Sequence, residues 1–543
     1  MSMTSIRLAA VLVLSCGSWA PLVSAGDLWV DSSQESNGIG SFADPFKRIG
    51  SAMNAAGPGD TIRVVRGDHD YNIADNNEVF PIVCKSGVRI VGEATDPQDM
   101  PRIGGDVTSP TVGELFLVQA ADVGSGPVTV SGVEIRALWF VAQDVEDVDA
   151  PSAVRFATRG GSTLAGCGFL DNVVERGEMR DETRPDRAAV VVDAGWGVAD
   201  VTLQGNLIHA TSRGGIEQRV DVDADSYEHW AVPVTQIFNN QVLVEGADTA
   251  AFGIRVGGIG EAFTDPTAAA FTIRRNRVHS LGATGGGGIA VGIDIRIDVT
   301  GDGNIRFTKD NTWVIGNRVH DGTGPGIRVL CDGPPGQAYF SCWEVRRNVV
   351  TDNAGAGLEI DWGSEGTEGG GYLDVITDSN IWSGNGIGVH LRNGNGAGAV
   401  SDTTLVNDTI AWNASHGVRL DDLGVAGPSK IINCILYFNN GGGLQVGGST
   451  PDLSGVLIEH NDWQGLWPLT GDNIDADPLF VNAIARDFHL RADSPCLDAG
   501  DDLPNGRKIG EFDFEGDVRQ LDGPDPGTAA TIDMGADEHA GGS

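Results

Sequence analysis

The sequence predicts an all-β chain wound into a single-stranded parallel β-helix, with one helix covering its N-terminal end. A short unit recurs about every 25–40 residues, and its apolar and polar residues alternate with the period of two that marks strands. Glycine supplies 78 of the 543 residues, which indicates many tight turns. Repeats of unequal length favour a coil whose strands are fixed and whose loops vary.

Each copy of the unit starts with Asn and an apolar residue and ends on Gly-apolar-x-apolar. In a parallel β-helix every strand pairs with its equivalent about 4.8 Å away in the next coil. Residues at one turn position then stack along the axis, so we predict a ladder of side-chain amides. The residues assigned to that position are Asn206, Asn240, Asn276, Asn317, Asn348, Asn380, Thr409 and Cys434.

The two ends differ from the repeats. Residues 1–25 have the charge, apolar run and small-residue cleavage site of a signal peptide, which predicts export. A lipoprotein box ending at Cys16 is the weaker alternative, because Leu is not at the usual third position before it. We predict an N-terminal cap and first coils over 26–110, repeats over 111–475 and a C-terminal capping region over 476–543.

One helix is predicted over residues 45–56. Its apolar stripe consists of Phe46, Ile49, Ala52, Met53 and Ala56, and Gly57-Pro58 ends it. Because the ends of an open β-helix must be covered, we place this helix over the N-terminal end.

The two ends also resemble a known group. The stretch 43–71 followed by KSGVRIVGE resembles the start of secreted bacterial right-handed parallel β-helix proteins of the pectin-lyase fold. DADPLFVNAIARDFHLRADSPCLDAG, FDFEGDVR and IDMGADEH resemble the choice-of-anchor Q region that often ends such proteins. The resemblance implies this fold, and among its members are lyases, hydrolases and epimerases of polysaccharides. The matched tail residues, which we interpret as hydrogen-bonding and turn residues, are Asp513, Gly516, Arg519, Asp533, Gly535 and Glu538.

The composition limits the classes of partner that the protein is expected to bind. With 36 Lys and Arg against 75 Asp and Glu, the net charge is −39, which argues against nucleic acid and anionic membranes. No segment beyond the N-terminus is apolar enough to span a bilayer. We expect a monomer. Cys331 and Cys342 bracket a Gly/Pro loop and are either disulfide partners or free thiols.

The residue x of Gly-apolar-x-apolar faces away from the core, and its charges nearly alternate from coil to coil. Alternation is what a stable exposed face requires, and it also suits a groove that binds a charged polymer. The predicted catalytic residues on this face are Glu359, Asp361, His390, Arg328 and Arg419. The predicted substrate-binding residues are Asp294, Arg296, Arg392, Asp421, Trp362 and Trp382.

Paired carboxylates such as Glu359 and Asp361 can divide acid and base roles in glycoside hydrolysis. Carboxylates that bind Ca²⁺ beside an Arg base would instead suit a lyase. Asp298 and Asp302 begin a Ca²⁺-binding pattern, but its twelfth position is Lys309 rather than Glu. Ca²⁺ is therefore a candidate ligand outside the usual loop.

Two hypotheses follow. The first is a secreted, extracellular or periplasmic protein that binds acidic polysaccharide and cleaves it as a lyase or glycoside hydrolase. The alternative is a non-catalytic extracellular structural or adhesive protein with the same fold. A convergent cleft on the charged face would favour the enzyme, and a flat, fully ion-paired ladder would favour the structural protein.

Overall fold

The computed structural model describes most of the chain from residue 25 onward. The described residues are 25–105, 113–121, 126–142, 151–176, 188–194, 197–210, 214–221, 231–245, 251–259, 270–280, 290–298, 312–332, 340–362, 372–393, 400–421, 429–447, 456–465, 471–502, 510–519 and 531–539. They form three long parallel sheets, so the predicted parallel β-helix is confirmed. Most of the predicted signal peptide lies outside the described residues.

Each coil contributes one strand to each sheet in turn, and we number the sheets in that order. Sheet 1 comes first, and short two-residue turns lead from it into sheet 2. The strands of sheet 1 are Asp27–Asp31, Thr61–Val65, Arg89–Glu93, Thr129–Ser131, Glu134–Arg136, Ser162–Leu170, Gly197–Gln204, Ala231–Phe238, Ala270–Arg274, Thr312–Ile315, Phe340–Arg346, Tyr372–Asp378, Val400–Val406, Ser429–Ile432 and Val456–Glu459.

Sheet 2 has the shortest strands. They are Arg102–Gly105, Trp139–Ala142, Val173–Arg176, Leu207–Ala210, Gln241–Val244, Arg277–Ser280, Arg318–His320, Val349–Thr351, Ile381–Ser383, Thr409–Ala411, Ile435–Tyr437 and Asp462–Trp463.

Sheet 3 carries the predicted charged face. Its strands are Ile82–Val83, Glu114–Ala121, Ser152–Arg159, Val190–Ala194, Gly214–Asp221, Phe252–Ile259, Val291–Asp298, Ile327–Asp332, Ala356–Trp362, Ile387–Asn393, Val418–Asp421 and Leu444–Val446. Apolar side chains from all three sheets fill the interior, as Leu203, Ile208 and Ile216 do within one coil. Every second residue of these strands therefore faces outward.

The turn from sheet 1 to sheet 2 explains the recurring Asn. Its first residue is left-handed, as Arg275 is at φ 55°, and its second is the Asn. The Asn276 Oδ1 accepts the backbone N–H of Asn240 at 2.9 Å and its side-chain amide at 3.0 Å. The Asn276 amide in turn donates to the Ile237 carbonyl. Each Asn thus satisfies buried backbone groups in the preceding coil, and the predicted ladder is confirmed from Asn206 to Asn380.

Two details of the ladder differ from the prediction. Asp408, not Thr409, follows Asn380 and accepts its N–H and amide at 2.8 and 2.9 Å. A carboxylate oxygen can replace the amide oxygen as acceptor, so the assignment of Thr409 was wrong by one residue. Cys434 does occupy the next ladder position, where its N–H donates to Asn461 Oδ1.

A second ladder, which the sequence analysis missed, runs through the turn from sheet 2 to sheet 3. Each member accepts a backbone N–H from the preceding coil at 3.0–3.1 Å. Its signal was an Asn at a constant offset from the first ladder. The members are Asn353, Asn385, Asn413 and Asn439.

The N-terminal helix is confirmed but is shorter than predicted, spanning Ile49–Ala55. It begins late because Phe46 pairs with the backbone of the first strand. The Glu78 carboxylate accepts the N–H groups of Ile49 and Gly50 at 2.7 and 3.0 Å, which completes the helix start. A second helix (Ile73–Asn76) and a 3₁₀ turn (Pro97–Asp99) follow in the first coils.

The C-terminal region contains an antiparallel pair, Phe480–Asn482 with Asp487–Leu490, and a 3₁₀ turn between them, Ala483–Ala485. Its described parts lie along the side of the last coils, and the end cap stays a prediction. Its apolar side chains pack on outward residues of sheet 2. The packed side chains include Phe480, Phe488, Leu490, Met534, Ile381, Ala411 and Ile435.

The motif residues of this region form hydrogen bonds and turns, as interpreted from the sequence. Arg519 is 4% exposed and donates to the Ser379 hydroxyl and to two backbone carbonyls. Asp513 accepts the N–H groups of the turn at Gly516, whose φ is 100°. These contacts tie the tail to the coil.

Candidate functional site on the outer face of sheet 3

Two rows of side chains run along the outer face of sheet 3, in the register read from the sequence. Their members occupy matching positions in successive coils. The first row is Glu217, Arg255, Asp294, Arg328, Glu359, His390, Arg419 and Gln445. The second row includes Arg219, Arg296, Asp361, Arg392 and Asp421.

Asp294 organises the first half of this face. Its side chain is fully buried and accepts from Arg255 and Arg296 at 2.9 Å each. Arg328 donates to it through Nε and Nη2, both at 3.0 Å. Burial alone would raise the pKa of Asp294, but the arginines outweigh it and hold the pKa below its usual value. Asp294 therefore positions arginines and has no surface of its own to offer a ligand.

An equivalent arrangement, which the sequence analysis missed, lies upstream at Asp193. This buried carboxylate accepts from Arg155, Arg159 and Arg219. Burial opposes ionisation, but the three cations lower its pKa to about 2. The signal in the sequence was weak, because Asp193 lies in the apolar strand Val190–Ala194 without the Gly-apolar start of the other copies.

The second half of the face brings Glu359, His390, Arg419 and Asp421 together. His390 Nε2 lies 2.9 Å from Asp421 Oδ2, and its Nδ1 lies 3.9 Å from Glu359 Oε2. Arg419 Nε contacts the same Asp421 oxygen at 2.8 Å. Although burial opposes ionisation, bonds from Arg419 and His390 lower the pKa of Asp421.

The pKa of Glu359 shifts in the opposite direction to that of Asp421. Burial raises its pKa, and the nearby positive charges of His390, Arg328 and Arg392 only partly offset this effect. Its side chain is still 16% exposed, so the carboxyl group remains within reach of a ligand. A carboxyl group that keeps its proton to higher pH suits a general acid.

Asp361 follows Glu359 on the same side of the strand Ala356–Trp362. Arg392 from the next coil contacts it at 3.3 Å. Successive outward positions on a strand are about 6–7 Å apart, so the two carboxylates can reach one bound sugar. Arg392 is 44% exposed and Arg419 is 38% exposed, and both can contact an anionic ligand.

Of the two predicted tryptophans, Trp382 is the one whose side chain the structure describes. Trp382 is fully buried in the core, so it has no ring face free for a sugar and we remove it from the predicted binding residues. Trp362 ends the strand Ala356–Trp362, and its side chain lies outside the described residues.

The predicted metal and disulfide residues are described only in part. Asp302 and the side chain of Asp298 lie outside the described residues, as do the side chains of Cys331 and Cys342. The two cysteines belong to strands of sheet 3 and sheet 1, Ile327–Asp332 and Phe340–Arg346, and their disulfide stays a prediction. Within the described part of the chain, no group of three or more His, Cys, Asp or Glu side chains could share a metal ion.

The described carboxylates of the face each contact an arginine or a histidine, and Ca²⁺ stays a prediction. A cavity of about 260 Å³ lies elsewhere, beside the N-terminal helix, where Met53, Glu78 and Val83 line it.

None of the helices in the described ranges is long and apolar enough to cross a membrane.

Comparison with known proteins relates part of the chain to a family. A family model described as "Protein of unknown function (DUF1565)" matches residues 33–134. The match covers the N-terminal helix and the first coils and stops before the charged face. No curated protein matches the chain.

Several solved structures are similar over most of their length but at low identity. Pectate lyase Pel9A is 13% identical with a TM-score of 0.40, covering 95% of this chain and 97% of that one. XylC in complex with xylose is 11% identical with a TM-score of 0.44, covering 94% and 98%. A family 28 exopolygalacturonase from Yersinia enterocolitica is 13% identical with a TM-score of 0.31, covering 81% and 78%. At these values the similarity carries no argument about activity.

Proposed function

We propose that this chain binds an acidic polysaccharide along the outer face of sheet 3 and hydrolyses it beside Glu359. The observation that carries the proposal is Glu359 itself, a partly exposed carboxyl group with a raised pKa amid arginines and a histidine.

In this proposal Glu359 donates its proton to the leaving glycosidic oxygen. Asp361 supplies the second carboxyl group on the same strand, either as nucleophile or as the base that activates water. Arg392 and Arg419 bind carboxylates of the polymer, and Asp421 orients His390 through its 2.9 Å contact. Arg328 and Arg419 contact Asp294 and Asp421, and we assign both to binding rather than to proton removal.

The second candidate function is a non-catalytic structural or adhesive protein. It is favoured by Asp294, whose complete pairing with three arginines resembles the fully ion-paired ladder of a passive surface. In both cases we propose that the chain is exported after removal of residues 1–25.

The test is incubation of residues 26–543 with a panel of acidic and neutral polysaccharides. New reducing ends without unsaturated ends are the expected products of hydrolysis, and unsaturated ends would assign a lyase instead. The same reactions with and without Ca²⁺ test the predicted metal. Neither cleavage nor binding across the panel would overturn the carbohydrate proposal and leave the structural function.

A further inference from the structure

A second charged surface lies where sheet 1 turns into sheet 2. We call it the arginine patch, and it consists of Arg274, Arg275, Arg277 and Arg318, all exposed. Arg277 and Arg318 occupy matching positions in adjacent coils of sheet 2. Arg275 lies in the turn before Arg277. The patch is therefore built by two consecutive coils.

The arginines of this patch have no acidic partner among the described residues, in contrast to those of sheet 3. Arg274 lies 5.6 Å from the centroid of the Phe238 ring. The nearby carboxylate of Asp321 contacts His320 at 2.6 Å instead. Like charges at matching positions of neighbouring strands repel each other, so an unpaired Arg277–Arg318 pair is unfavourable without a bound anion.

The turn of the next coil carries no side chain at the matching position. Gly316 occupies the turn position that Arg275 has in the preceding coil and Arg347 in the following coil, and its backbone is left-handed at φ 66°. A Cβ atom at Gly316 would have only Arg275 Cγ within 4 Å, at 3.6 Å. Burial is the main cause that lowers the pKa of Arg347. The positive charges of Arg275 and Arg346 lower it further, and the carboxylates of Asp378 and Asp513 oppose this shift.

An exposed aromatic ring borders the patch. Trp313 lies on sheet 1 and is 40% exposed. It pairs with Thr272 of the preceding coil, and two positions further along the same two strands Ile315 pairs with Arg274. A flat apolar ring beside guanidinium groups offers stacking for a sugar ring and ion pairs for its acidic substituents. Phosphate or another small anion would use the arginines but not the ring.

The geometry points to a second polysaccharide-binding surface, at which the arginine patch and Trp313 bind a glycan that carries an acidic group on successive sugars. A chain running along the coil axis passes Arg277 and then Arg318. The described part of the C-terminal region packs on sheet 2 further along, from Val349 to Ile435. This surface is separate from sheet 3 and needs no cleavage there.

The test measures binding to alginate, a polyuronate, and to alginate whose carboxylates have been esterified. The Glu359→Gln/Arg392→Gln/Arg419→Gln background prevents turnover by the proposed sheet 3 site and removes the arginines proposed to bind the polymer there. The double variant Arg277→Gln/Arg318→Gln should bind alginate about tenfold more weakly. Trp313→Ala should also weaken binding. Arg491→Gln is the matched control, since Arg491 already pairs with Asp493 at 3.1 Å.

No variant should bind esterified alginate measurably. Added salt should weaken alginate binding by the control more than alginate binding by the double variant. Equal affinity of the double variant and the control would overturn the inference, as would absent binding by the parent protein. The double replacement is also made in the protein with intact Glu359. If this variant loses binding at the patch but cleaves the polysaccharide like the parent, the patch and the sheet 3 site are separate. Unchanged thermal unfolding of each variant shows that the fold is intact.

Discussion

At the scale of single residues, the chain buries carboxylates in two contrasting ways. Asp294 and Asp193 are surrounded by arginines, which keep them ionised. Asp408 lies in the neutral amide ladder instead, and burial raises its pKa to about 7 despite bonds from Thr377 and Asn380. The sequence indicates the outward charges but not these environments, because burial depends on neighbours from other coils.

The replacement Asp408→Asn should stabilise the protein at neutral pH. The unfolded carboxyl group ionises near pH 4, while the folded one keeps its proton up to about pH 7. The wild type therefore loses stability as pH rises between these values, whereas an Asn continues the ladder without this loss. We expect an advantage of about 1–4 kcal/mol near pH 8 and much less near pH 4.

Urea unfolding of both proteins at several pH values measures this difference. Because other raised carboxyl groups titrate in both proteins, the difference isolates Asp408. An advantage independent of pH would show that the carboxyl group is not the cause.

At the scale of elements, the repeats were predictable because the strand period and the turn Asn are local signals. Gly-Val-His-Leu-Arg identifies an outward His390, and the register of the whole first row follows from such motifs. The error at Thr409 arose where Asp408 replaced the Asn. The docking of the C-terminal region was not predictable, since it joins residues more than a hundred positions apart, such as Arg519 and Ser379.

Removal of one ladder amide should destabilise the coil. In Asn317→Ala, the N–H and amide of Asn276 lose their acceptor and the Ile273 carbonyl loses its donor. We expect a loss of about 2–4 kcal/mol in the free energy of unfolding, measured with denaturant. Asn440→Ala, at an exposed position next to the second ladder, should change it by less than about 0.5 kcal/mol. Equal effects of the two replacements would refute the structural role of the ladder.

Loss of the buried Arg519 should release the C-terminal region from the coil. Arg519→Ala removes the bonds to Ser379 and to the carbonyls of Gly535 and Ala536. Hydrogen exchange should accelerate in residues 471–502 and 531–539, while the strands of the three sheets keep their protection. Acceleration spread evenly over the coil would show instead that the tail and the coil unfold together.

At the scale of the whole molecule, the net charge of −39 hides two different surfaces. The outer face of sheet 3 pairs its arginines with carboxylates, whereas those of the arginine patch have no acidic partner in the part of the chain that the structure describes. Composition argues against nucleic acid as a partner, but only the coil geometry brings these residues into rows. The pKa contrast between Glu359 and Asp421 also arises only in the folded chain.

The most direct test of the proposed hydrolysis compares the cleavage rates of three variants with that of the parent protein, on the polysaccharide found with the panel. Glu359→Gln should lower kcat by about 10²–10⁴-fold, because it removes the proposed general acid. Asp361→Asn should reduce the rate strongly as well. Glu344→Gln is the control, since Glu344 pairs with Arg346 on sheet 1 at 3.4 Å, and it should leave the rate unchanged. An undiminished rate in Glu359→Gln would contradict the assignment of the site to sheet 3.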